Sequence, residues 1–170
     1  MEYLILLRFI HVVSAIFWGG SVMYLALFIV PAVKALGPGG GKFMQQLSLT
    51  NKMPAVMTLA GTLTVVGGIL LMERMSGGFQ AAWFGTPHGI VLSIGATCAI
   101  IAYFLGLFVN KPTVERIAKI GKAAAEKGGP PSPEQMAELQ KLRARLFSAI
   151  NYTAFLVLGA AIAMSIARYC

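Results

Sequence analysis

Long apolar runs broken by short polar and glycine-proline stretches set the pattern of this chain. The first run, Phe9 to Val33, exceeds the roughly 20 residues that a membrane-crossing helix needs. Three more runs follow. The spans they predict are about 5–33, 54–74, 87–109 and 147–167. Pro31 and Gly37-Pro38-Gly39-Gly40-Gly41 predict the end of the first helix and a flexible turn. Lys42 to Asn51 reads as a short polar, partly amphipathic stretch.

Small residues recur at helical spacing inside the later runs. Ala60, Thr64 and Gly68 predict one stripe, Gly85, Gly89, Ser93 and Thr97 a second, and Gly159, Ala163 and Ala167 a third. Stripes of this kind let helix backbones approach closely in lipid. Pro112 predicts a kink, after which Val114, Ile117, Ile120 and Ala124 continue the helix beyond the membrane. Gly128-Gly129-Pro130-Pro131 is a break, and Ser132, Pro133 and Gln135 read as an N-cap, a first-turn proline and a capping-box partner. Met136, Leu139, Leu142 and Leu146 then form a seam facing the extended third helix. The expected architecture is all-α: an integral membrane, four-helix up-down-up-down bundle, with a helical hairpin at about 112–146 between helices 3 and 4. Residues 1–170 are expected to form a single membrane domain.

Composition agrees. Hydrophobic residues make up 57% of the 170, charged residues 12%, and mean hydropathy is +0.74. A soluble domain carries about twice that charged share. The net charge is +8, and eight of the fourteen Lys and Arg fall between Lys111 and Arg145. In a membrane protein such a cluster reads as a cytoplasmic loop rather than a nucleic-acid tail. Lys34, Lys42 and Lys52 sit in the loop after helix 1, whereas the loop after helix 2 holds only Glu73 and Arg74. The charge bias therefore predicts both termini outside and the basic loops in the cytoplasm. No positive cluster precedes the first run and no clean cleavage site ends it, so it reads as a retained helix rather than a signal peptide. Cys98 and Cys170 lie at different depths, which argues against a disulfide.

Candidate chemistry centres on the two histidines. An intramembrane imidazole is costly and is a functional hypothesis by default. Arg8, His11, Ser14 or Ala15, and Trp18 line up on one helical face. With both histidines toward the outer side, haem b fits: His11 as ligand, His88 as a second, and Arg8 for a propionate. Gly19 and Gly20 would leave room for the macrocycle edge, and Trp18 would pack on it. The plainer alternatives are a histidine bonded to a neighbouring helix, a core tryptophan and a snorkelling arginine. Copper is a second option, because Met72, Met75, Glu73 and His88 cluster toward the outer ends of helices 2 and 3. Asn51, Lys52, Asn151 and Tyr152 read as groups that tie the inner helix ends together. No nucleophile with its base, phosphate loop or zinc spacing is seen, which excludes a hydrolase reading.

His11, followed by Trp18-Gly19-Gly20 and an apolar run to Pro31, resembles the first helix of the copper-resistance D-like membrane proteins. Gly61 with Gly67-Gly68, and Thr86-Pro87-His88-Gly89 followed by Asn110 and a basic segment, resemble their second and third helices. That resemblance implies a four-helix unit linked to copper uptake or tolerance. A wider set of similar proteins, including the haem-containing protoporphyrinogen-oxidising membrane family, carries a histidine in the matching part of helix 1, which implies haem ligation at His11. Their helix 3 carries a basic residue, whereas the segment after Gly89 here reads IVLSIGATCAIIAYF. The expectation is a b-type haem protein of the bacterial inner membrane, handling electrons near the outer face. The alternatives are a copper-handling protein and a non-catalytic assembly subunit. Expected partners are the lipid bilayer and either another copy of the chain or a membrane redox partner.

Overall fold

A computed structural model describes residues 2–126 and 131–170. Among them there are helices and turns and no strand. Helix α1 runs Glu2–Ala35, α2 starts at Pro38–Gln45, α3 spans Met53–Met75 and α4 is the short Ala81–Phe84. Helix α5 runs Pro87–Leu105, passes through a π turn and continues as Lys111–Glu126. Helix α6 runs Pro133–Ile166 and ends in a 3-10 turn, Ala167–Tyr169. Helices α1, α3, α5 and α6 are each long and apolar enough to cross a membrane. Their outer surfaces carry large apolar side chains in the open, such as Ile16 at 70% and Phe155 at 76% exposure. That is the surface of an integral membrane protein, whose solvent is lipid.

Three helices widen into a π turn, and each π turn lies just before a proline. Leu25–Ile29 precedes Pro31, Gln46–Thr50 precedes Pro54, and Gly106–Asn110 precedes Pro112. A proline has no N–H to return to the carbonyl four residues back, and its ring pushes that carbonyl aside. At two of these sites the wider turn absorbs the misfit: Val30 N–H reaches Leu25 O, Lys111 N–H reaches Gly106 O, and the helix goes on. Pro31 thus does not end α1. At the third, Lys52 adopts a left-handed φ of 51° and the chain restarts as α3.

The glycine run also differs from expectation. Only Gly37 turns the chain, with φ 55°, and Gly39 to Gly41 lie inside α2. Pro38 opens that helix at a position where its missing N–H costs nothing. A Cβ on Gly40 would collide with the Val33 carbonyl, so α2 can fold back on the end of α1 only with glycine there. The Ser132 capping box forms as expected, with Gln135 N–H donating to the Ser132 hydroxyl and Ser132 N–H to Gln135 Oε1. The same hydroxyl donates to Glu134 and holds that carboxyl below the usual carboxylate range. The break expected at Gly128-Gly129-Pro130 lies outside the described residues.

The two most extensive contacts are α1 with α3 and α5 with α6; α1–α6 and α3–α5 contacts join the pairs. One core cluster takes Trp18 and Val22 from α1, Ala60 from α3, Ala102 from α5 and Ala154 from α6. A second gathers Val30, Val33, Leu146, Phe147 and Ile150. Ala60 and Thr64 are buried as the first stripe predicts. On α5 the buried residues are Gly89, Gly95, Ala99 and Ala102; of the expected stripe Gly89 is buried, Ser93 half-buried, and Gly85 and Thr97 exposed. Gly95 faces α6 so closely that an added Cβ would sit 3.1 Å from Ala163 Cβ and 3.3 Å from Ala160 O. Beyond the apolar segments α5 and α6 stay together, with Arg116 Nε donating to Glu138 at 2.8 Å. In that seam Ile120, Ala124, Leu139 and Leu146 are buried, whereas Met136 is exposed.

Candidate functional site: two helix-bridging histidines

The inward face of α1 carries Leu7, Ser14, Trp18 and Val22, all buried, with half-buried His11 between them. This is the i, i+3, i+4 spacing of one helix face. His11 Nδ1 donates to the carbonyl of Thr64, in the middle of α3, at 2.7 Å. The glycine pair of α3 makes the seat for the ring. A Cβ on Gly68 would stand 2.9 Å from His11 Cε1, and one on Gly67 3.2 Å from His11 Cβ. The Thr64 hydroxyl lies 3.1 Å from Ser14 Oγ and 2.8 Å from the Ala60 carbonyl. Ser14 in turn donates to Ile10 O at 2.6 Å. His11, Ser14 and Thr64 therefore form a closed polar layer between α1 and α3.

Since a carbonyl only accepts, Nδ1 must carry the proton. The neutral ring then keeps a free lone pair on Nε2. Metal-bound histidines are commonly held this way, with the other ring N–H given to a backbone carbonyl.

His88 makes the same bond elsewhere. Its Nδ1 donates to Ala167 O at 2.7 Å, and its ring stands edge-on to Trp83 at 6.0 Å. Ala167 lies in the last turn of α6, and its carbonyl also accepts from Cys170 N–H at 3.2 Å. His88 closes that end.

The two histidines do not share a layer. Trp18, Gly61 and Tyr103 define a common level, because a Cβ on Gly61 would touch both rings. His11 lies seven residues before Trp18, and His88 fifteen before Tyr103. Helices α1 and α5 both run antiparallel to α6, so both offsets point the same way. At about 1.5 Å per residue the imidazoles differ in depth by roughly 12 Å. At the level of His11, α5 presents Gly95 and α6 presents Ala160, Ala163 and Met164, whose Cγ would stand 3.3 Å from a Cβ on Gly95.

The other expected site residues are dispersed. Arg8 is exposed. Trp18 is 6% exposed in the central core and meets Tyr103 edge-on at 6.5 Å. Gly19 closes on α6, where a Cβ would meet Val157 at 3.1 Å, whereas Gly20 faces open space. Of the copper candidates, Met75 is exposed, Met72 is half-buried and Glu73 pairs with Arg74. Among the described residues no group of three or more His, Cys, Asp and Glu could hold a metal ion. Cys98 and Cys170 are free thiols.

Asn51, Lys52, Asn151 and Tyr152 are exposed. Two other side-chain bonds join helices: Thr62 to Tyr103 at 2.8 Å, between α3 and α5, and Asn110 to Thr153 at 3.4 Å, between α5 and α6. Sequence reasoning took Thr64 only as a small residue and missed it as the partner of His11. The acceptor is the Thr64 backbone carbonyl, which any residue there would supply, so the sequence carried no signal for it. No protein-family model, curated protein or solved structure matches the chain.

Proposed function

We propose that this is a b-type haem protein with His11 as the axial ligand through Nε2. One observation carries the reading: the Nδ1 hydrogen bond to the Thr64 carbonyl, which fixes the ring and leaves the other nitrogen free. When bound, haem supplies one-electron chemistry. The chain's own residues do the rest. Thr64 sets the tautomer, Gly67 and Gly68 admit the ring between α1 and α3, and Arg8, one turn away, is the cation available to a propionate. His88, at another depth and turned to α6, is left out of this ligand set.

In the same proposal the four apolar helices form an up-down-up-down bundle in a bacterial inner membrane. The basic 112–146 hairpin lies in the cytoplasm and both termini lie outside, as the charge bias favours. The likeness to copper-resistance D-like and haem-containing membrane proteins supports the haem reading at His11 alone. Copper gains nothing from the arrangement, because Met75 is exposed and Glu73 pairs with Arg74.

A second reading is a non-catalytic assembly subunit. It is favoured by the fact that each histidine bolts one helix to its neighbour, α1 to α3 and α5 to α6. The visible spectrum of the purified chain separates the two. Haem at His11 gives a Soret band that His11→Ala loses and His88→Ala keeps. A folded, colourless protein that takes up no added haemin leaves the assembly reading.

A further inference from the structure

On the far side of Trp18 from His11 the helices part around a partly enclosed cavity of about 90 Å³. Its wall includes Trp18, Leu25, Met57, Tyr103, Gly106 and Asn110. We infer that this cavity is a binding site for the hydroxyl-bearing end of a lipid-soluble molecule, an alcohol or phenol on an otherwise apolar body.

The cavity follows from the backbone. Leu25 begins the π turn of α1, and Gly106, Leu107 and Asn110 belong to that of α5. Two widened turns, each placed before a proline, therefore contribute to one void. π turns inside helices are frequent at functional sites. A Cβ on Gly106 would meet nothing within 4 Å, so the space is not needed for packing.

The chemistry follows from one atom. Asn110 Oδ1 is buried and has no hydrogen-bond partner among the described residues. The amide cannot solve this by turning over. Its Nδ2 donates to Thr153 Oγ1, whose own proton goes to Ala149 O at 2.8 Å, so Thr153 can only accept. A flip would leave the NH₂ group unpaired instead. Other polar groups on the wall are occupied: Tyr103 OH is bonded to Thr62 and Thr58 to Pro54 O. One buried acceptor in an apolar wall calls for a ligand with one donor. Lys111 is the one charged lining residue, which disfavours a cation. A hydroxyl can donate to Asn110 and still accept. An engineered cavity of about 150 Å³ holds benzene, so about 90 Å³ takes the end of a molecule whose remainder lies between the helices.

The chain has two tryptophans, and Trp18 lines the cavity. The test therefore uses the full chain with Trp83→Phe, read by Trp18 fluorescence and titrated with 4-butylphenol and with its methyl ether. The phenol is expected to saturate and to bind about tenfold more tightly than the ether. Asn110→Leu should lower the phenol to the ether's level, and Gly106→Leu, which fills the open space, should weaken both. Equal affinity for phenol and ether in the Trp83→Phe protein overturns the inference, and this comparison needs no cavity variant to fold. A preference that survives Asn110→Leu overturns it too, since the acceptor would then be served by water alone.

Discussion

The halves of the molecule on either side of Trp18 are built to opposite rules. Toward His11 the helices are regular, small residues line their contacts, and His11 Nδ1, Ser14 and Thr64 are hydrogen-bonded to backbone carbonyls and to one another. Toward Asn110 the helices carry π turns, a cavity stands open and an acceptor is unpaired. The same kind of apolar sequence produces both. The difference lies in where prolines fall and in whether glycine meets a neighbouring backbone, as Gly95 does, or meets nothing, as Gly106 does. The closed half can hold a side chain in one orientation, and the open half can admit a guest.

Trp18 is the wall between them, and its removal should have the largest effect. Trp18→Ala is expected to cost about 3–5 kcal/mol in denaturant unfolding, as large core truncations do. A cost under about 1 kcal/mol would mean that the two halves are not separated by packing.

The contrast itself is sharpest in a pair of matched substitutions. Gly95→Leu must push against Ala163 and the Ala160 carbonyl, and is expected to destabilise by about 1–3 kcal/mol. Gly106→Leu enters open space and should not destabilise. Equal losses from the two would erase the comparison.

Smaller again is His11→Ala, expected to lower stability by about 1 kcal/mol, the scale of one interhelical hydrogen bond in a membrane. Smallest is Gly106→Ala, expected to stabilise by about 0.5–1 kcal/mol through reduced backbone freedom. A rise in melting temperature with lost phenol binding would show that the open half gives up stability for its cavity.

Much of the fold was legible because lipid demands long apolar helices. Each of the four apolar runs lies in a helix long and apolar enough to cross a membrane, and the Ser132 capping box could be read directly. The inward face of α1 was legible too, since His11, Ser14 and Trp18 break an otherwise apolar surface. What could not be read was which small residues point inward. In lipid the outer face is as apolar as the core, so Gly85 and Thr97, which are exposed, looked as good as the buried Gly89, Gly95, Ala99 and Ala102. The glycine run at 39–41 signalled a turn because glycine usually does, and only the approach to Val33 makes it helical. The π turns were hidden because Pro31, Pro54 and Pro112 signal a break without saying how the backbone absorbs it. The common depth expected for the histidines failed for a simpler reason. Position in sequence gives depth within one helix, but the register between helices is set by contacts such as Trp18 with Gly61 and Tyr103.

His11 donates its Nδ1–H to the Thr64 carbonyl and keeps Nε2 bare. Because the chain has only two histidines, nitrogen-15 histidine labelling and long-range NMR correlation read this ring directly, with His88→Ala supplying the assignment. In the haem-free protein, Nδ1 of His11 is expected to carry the proton and Nε2 to carry none. A proton found on Nε2 would contradict it, and with it the ligand that the haem proposal needs.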